Sequence, residues 1–217
     1  MVNAEAAGVE RGEDLVAVGL PFADYARMAK ESWTGLAASV PWFADYRPVT
    51  PKPVLASVAM SHTNITGIFL AFTGEANINT AAPASSIPYT ICHELAHGAM
   101  VCPENEANFA SWLACRRSPY PLFRYSGALS AFVYTYNALV GEDRETAYDL
   151  YRGLCAEAQA DLAYRSAYWQ QYQGKIEKIS TAVNNTYLPA MAQPEGVKSY
   201  GMVTDLLICA YLNEHGG

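Results

Sequence analysis

Hydrophobic spacing divides the chain into a helical N-terminal stretch, a short strand region and a long helical remainder. Leu15, Val18, Phe22, Tyr25, Met28 and Ala29 recur near one helix face over 14–39, and Gly19-Leu20-Pro21 predicts a break into two helices. Residues 41–53 carry Pro41, Pro48, Pro51 and Pro53 among aromatics and predict an extended, packed connection. Ile65 to Phe72, then Gly74 to Asn79, are β-branched, aromatic and punctuated by glycine, which predicts a small β-hairpin or a pair of short strands. A loop of small residues follows, and a helix begins near Ser85 or Ser86, either of which is a capping residue, with Pro88 in its first turn. Beyond Gly98 the pattern predicts helices over 103–117, 120–140, 143–171, 174–188 and 196–213, separated at Pro119, Gly141, Gly174 and Pro194. The expected class is α+β and mostly helical, with a short sheet beside a helical body.

The 217 residues fit a single domain over 14–217, preceded by a polar, acidic stretch, 1–13, that reads as a flexible leader. Within the domain, 14–50 read as N-terminal helices and linker and 51–217 as the core. Half of the chain is apolar and 16% charged, enough to bury a sizeable core. A net charge of −7 without any basic run argues against a nucleic-acid surface. No segment has the length and apolarity of a membrane span, so the chain as given reads as soluble. The five cysteines lack paired short spacings and read as small buried hydrophobes rather than a zinc ribbon or redox pair.

The candidate chemistry sits in His93-Glu94-Leu95-Ala96-His97. On a helix, positions i and i+4 stack, so both imidazoles can face one ion, with Glu94 placed to act on a water beside it. Two histidines and a glutamate in this spacing are the signature of Zn²⁺ peptidases: the histidines hold one zinc ion and the glutamate is the general base. A catalytic zinc needs a third protein ligand. Glu104 and Glu106 are the near candidates, in the first turn of the next predicted helix. Phe109, Ala110 and Leu113 share a face with Glu106, whereas Ala107, Asn108 and Ser111 share one with Glu104, so the apolar pattern turns Glu106 inward. Cys92 and Cys102 are not needed to complete such a site.

These residues resemble the zincin metallopeptidases, in the branch whose third ligand is a glutamate. More narrowly, Pro51-Lys52-Pro53-Val54-Leu55, Thr66-Gly67-Ile68-Phe69, Phe72-Thr73-Gly74-Glu75-Ala76-Asn77, Glu106-Ala107-Asn108-Phe109, Phe123-Arg124-Tyr125-Ser126-Gly127 and Ser199-Tyr200-Gly201 are similar to an uncharacterised bacterial family. Its members usually carry membrane-spanning helices ahead of the domain. The resemblance covers roughly residues 50–212. It implies a zincin-like fold, Glu106 as third ligand, and Phe69 to Asn79 as the strand region whose edge receives an extended substrate. It also implies that any membrane association runs through segments this sequence does not contain, with the domain on the extracytoplasmic side.

On this reading the protein is a zinc metallopeptidase acting on a peptide or protein, with Glu94 moving the proton. Tyr200 is the first candidate for an oxyanion donor and Tyr125 the second. Glu75 and Asn77 are candidates for holding a substrate backbone or terminus. His62 and His215 read as incidental, and Tyr148, Tyr151 and Tyr164 as packing. The competing expectations are a catalytically silent binding module and a metal-dependent hydrolase of a non-peptide amide or ester; Glu94 favours an enzyme.

Overall fold

In a computed structural model that describes residues 1–172 and 198–216, the first four of the latter segment through their backbone alone, the chain is mostly helical with one small sheet. Among the described residues there are nine α-helices: α1 Val2–Ala6, α2 Phe22–Ser39, α3 Ser57–His62, α4 Ile87–Gly98, α5 Glu104–Arg116, α6 Pro121–Glu142, α7 Arg144–Arg152, α8 Ala156–Gln170 and α9 Lys198–His215. The α+β class expected from the sequence is therefore correct. The helix expected over 174–188 lies outside the described residues.

The sheet has the order β1-β3-β2, with β1 Lys52–Pro53, β2 Gly67–Leu70 and β3 Glu75–Ile78. β2 and β3 form the expected antiparallel hairpin, closed by a turn in which Gly74 has φ 67°, a conformation glycine adopts without penalty. β1 comes from the proline-rich connection and lies parallel to β3. Side chains alternate across the sheet. Ala76 and Ile78 are fully buried, while Glu75 and Asn77 lie on the opposite face.

Helix α4 runs through the centre of the core: Ile91, Cys92, Leu95 and Ala96 have no exposed surface. From α2, Trp33 donates its indole N–H to the Cys92 carbonyl at 3.1 Å and packs edge-on against Phe43 and Tyr46. Helix α5 packs on α4 through small residues. Ala107, Ser111 and Ala114 are fully buried, and the Ser111 hydroxyl donates to the Tyr89 carbonyl at 2.7 Å. Helix α6 comes equally close to α5: a Cβ added to Gly127 would stand 2.5 Å from Cys115 Cβ. Small side chains let three helix backbones meet tightly around the motif. Ser86 occupies the N-cap position of α4, but its hydroxyl donates to the Pro83 carbonyl. The free N–H of Tyr89 is taken by Ser126 of α6, at 3.1 Å, so the cap comes from a neighbouring helix.

The N-terminal segment is a correction to the expected leader and first helix. Val2 and Ala6 of α1 are buried against α6 and α8. Residues 12–16 form a tight turn between the bridged Arg11 and Ala17 rather than a helix: Asp14 Oδ1 accepts from the Val16 N–H, the Gly12 carbonyl accepts from the Leu15 N–H, and Leu15 takes φ 64°. The segment is held by Asp161 of α8, which is fully buried. Its Oδ2 accepts from Arg11 at 2.6 Å and from the Tyr125 hydroxyl at 2.7 Å, and its Oδ1 accepts from the Ala17 N–H at 3.1 Å. The Arg11 guanidinium also lies 4.9 Å above the Tyr125 ring centroid. The expected 143–171 helix is divided into α7 and α8 at Gly153. Asn3 holds the break, donating to the Gly153 carbonyl and accepting from the Cys155 N–H.

Replacing Asp161 by alanine leaves Arg11 nearly buried with no counter-charge and orphans the Ala17 N–H. A loss of about 3–5 kcal/mol is expected, read as a lowered urea midpoint with an unchanged slope. Among the described residues, no helix is long and apolar enough to cross a membrane.

Candidate metal centre

His93 and His97 project from α4 one turn apart, with ring centroids 4.7 Å apart and Nε2 atoms 3.1 Å apart. The end of α4 fixes one of them. Met100 adopts φ 66°, the Val101 N–H donates back to the Ala96 carbonyl, and the Met100 N–H donates to the His97 carbonyl. This is a Schellman ending with methionine at the left-handed position. Gly98 is the last residue of the helix. It is small because Tyr46 and Phe69 close over it: an added Cβ would meet the Tyr46 hydroxyl at 2.7 Å. The reversal turns the Val101 carbonyl toward His97, whose Nδ1 lies 2.9 Å from it. A proton on Nδ1 satisfies that carbonyl and leaves the Nε2 lone pair facing His93. Among the described residues, the corresponding Nδ1 of His93 is buried without a partner.

Met100 is 81% exposed and pays for its φ with no packing. Met100→Gly is expected to stabilise the protein by about 1 kcal/mol, measured as a raised melting temperature with metal binding unchanged.

The third member of the group is Glu104. Its carboxylate spans the two imidazoles, one oxygen 3.2 Å from His93 Nε2 and the other 3.5 Å from His97 Nε2. His93, His97 and Glu104 thus form a group that can hold a metal ion. Glu106, expected to be the third ligand, is not part of this group, and it is exposed, as Glu104 is. The correction has a physical cause. The face of α5 that meets α4 is the small one, with Ala107 and Ser111, and Glu104 heads that face; Phe109 and Leu113 are only half-buried. Glu104 is also the first residue of α5, where the returning chain is nearest to α4. Burial opposes the charge on Glu104, but His93 and His97 hold its carboxyl well below the usual range. Burial likewise opposes a charged His97, yet the Glu104 carboxylate raises it above its ordinary value.

Glu94 lies beneath β2 with 4% of its surface exposed. Burial pushes its pKa up, countered in part by the two histidines and by the Phe69 N–H that faces it. Gly67 makes this position possible: an added Cβ there would stand 2.6 Å from Glu94 Oε1. β2 is an outer strand, and the Thr66 carbonyl accepts from Asn79 of the β3 strand end. Alternation therefore sends the backbone groups of Gly67 and Phe69 away from β3, toward Glu94.

A cleft of about 380 Å³ opens beside His93 and Glu104. Its far wall comes from α6, which contributes Ser130, Tyr134 and Asn137, and from α8, which contributes Arg165 and Trp169. The sequence reading missed these residues. A signal existed: Ser130, Tyr134 and Asn137 recur at helical spacing on a largely apolar helix. On the near side, the Tyr89 hydroxyl donates to the Asn108 carbonyl at 2.9 Å.

The remaining sequence candidates are not brought to this cleft. Glu75 and Asn77 lie on the outer face of the sheet. Glu75 pairs with Lys52 and accepts from Thr73, and the Asn77 amide donates to the Glu75 carbonyl. Tyr125 is consumed by the Arg11–Asp161 network and is fully buried. The side chain of Tyr200 lies outside the described residues.

No curated protein and no solved structure matches this chain. A family model described as a protein of unknown function (DUF3810) matches residues 2–208, from α1 into α9. The match spans nearly all of the chain, motif helix and candidate metal ligands included, and the protein therefore belongs to the DUF3810 family.

Proposed function

We propose that this protein is a zinc-dependent metallopeptidase of the zincin type, with His93, His97 and Glu104 as metal ligands and Glu94 as general base. The observation that carries the reading is the spacing of the three donors beside a buried glutamate. Bonds of 2.0–2.1 Å to a tetrahedral zinc place neighbouring ligand atoms roughly 3.3 Å apart. The separations here are 3.1, 3.2 and 3.5 Å. Two imidazoles and one carboxylate, with the His97 tautomer set by Val101, are a donor set suited to zinc.

Held there, a zinc ion would polarise a scissile carbonyl and lower the pKa of a water molecule. Glu94 supplies the proton traffic: it accepts the proton from that water and delivers it to the departing amine. The outward backbone groups of Gly67 and the Phe69 carbonyl support a substrate lying extended along β2, next to the base. Tyr134, on the far wall of the cleft, takes the place of Tyr125 as the hydroxyl to test for the oxyanion.

The test is zinc content followed by cleavage of casein and a random peptide library. One zinc per chain and cleavage abolished by a chelator are expected. Full zinc occupancy with no peptide cleaved overturns the enzyme reading in favour of a binding module.

A further inference from the structure

The far end of the cleft carries a cation that nothing in the proposed chemistry uses. Arg165 lines the cleft together with His93 and Glu104. It is half-buried, and among the described residues no carboxylate pairs with it. The other partly buried arginines behave differently: Arg11, Arg116 and Arg124 engage Asp161, Glu214 and Glu5. The side chains beside Arg165 on the cleft wall, Tyr134, Asn137 and Trp169, are neutral. Glu104 is already committed to the histidines.

We propose that Arg165 binds a carboxylate of the substrate, so that the cleft takes peptides presenting a C-terminal or acidic side-chain carboxylate near the scissile bond. This rests on the metallopeptidase reading above. The guanidinium fork matches a carboxylate with two parallel N–H···O bonds, and partial removal from water strengthens them. A divalent ion on two neutral imidazoles is balanced by the Glu104 and Glu94 carboxylates, so the metal end of the cleft adds no net negative charge to repel such a ligand. The cation that favours an anionic ligand is Arg165, although the chain carries a net charge of −7. Arg165 is a specificity residue on this account; it takes no part in moving the proton.

The probes are the monohydroxamates of succinic, glutaric and adipic acid and the matching terminal amides, titrated into the zinc-loaded full chain by calorimetry. In the wild type, at least one acid is expected to bind about tenfold or more tighter than its amide. In Arg165→Met that preference is lost while zinc affinity is unchanged, and Arg165→Lys restores it in part. Equal binding of acids and amides at every length, or a preference that survives Arg165→Met, overturns the proposal with the metal site intact. Absence of zinc binding overturns the metal site itself and this proposal with it. Peptides that differ only in a free or amidated C-terminus, or in Glu against Gln next to the cleavage point, then identify which carboxylate is read. Loss of cleavage to the same degree for all of them in Arg165→Met also counts against the proposal.

Discussion

Glu104→Gln is expected to lower zinc affinity by at least about 100-fold, whereas Glu106→Gln changes it by less than about threefold. The two residues make a controlled pair. Both lie in the first turn of α5, so each substitution removes one negative charge from the same helix end. The helix-dipole contribution, about 0.3–1 kcal/mol, is common to both and cancels in the comparison. Both side chains are exposed; what differs is reach: the Glu104 carboxylate stands 3.2 and 3.5 Å from the two imidazole nitrogens, and among the described residues Glu106 is not part of that group. Glutamine keeps the size of the side chain and one oxygen but loses the anion that offsets the metal charge. Competition with a chromogenic chelator gives both affinities. Equal losses for the two variants, or a loss only in Glu106→Gln, would sink the assignment of Glu104.

Glu94→Gln should abolish turnover, with kcat falling by about 10²–10⁴-fold and zinc content unchanged. Glutamine fills the same buried space under β2 but cannot accept a proton. Gly67→Ala separates position from chemistry, because it leaves Glu94 ionisable and pushes on it. The added Cβ meets Oε1, Cγ and Cδ of Glu94 at 2.6–2.9 Å, so the carboxylate or the strand must shift. A displacement near 1 Å is enough to cost about 100-fold in rate. Kinetics on a cleaved peptide, with zinc measured on the same samples, reads both variants. Retained activity in Glu94→Gln would remove the general base from the mechanism.

The motif helix was legible because i, i+4 spacing alone determines that His93 and His97 share a face. The proposed third ligand was not. Its prediction took apolar neighbours as the mark of a buried face, and α5 instead packs on α4 through Ala107 and Ser111, whose smallness permits the close approach. The polar N-terminal stretch misled for a related reason. Arg11 looks solvent-seeking in isolation, and its partner Asp161 lies 150 positions away. The hairpin announced itself through β-branched residues and glycine. β1, two residues long and half proline, had no such pattern to show. Arg165 carries no local mark at all; its role depends on which helices enclose the cleft.

The three proposed ligands fall between positions 93 and 104, on one helix–turn–helix. Closing the short connection between α4 and α5 costs little chain entropy, so this part of the site assembles from near neighbours in sequence. The cover over the base comes from β2 and the far wall from α6 and α8, which need longer-range closure. The order of assembly follows from that difference in separation. On the proposed reading, the metal-binding turn would form before the cleft around it, so a newly made chain would hold its ion before the cleft is complete.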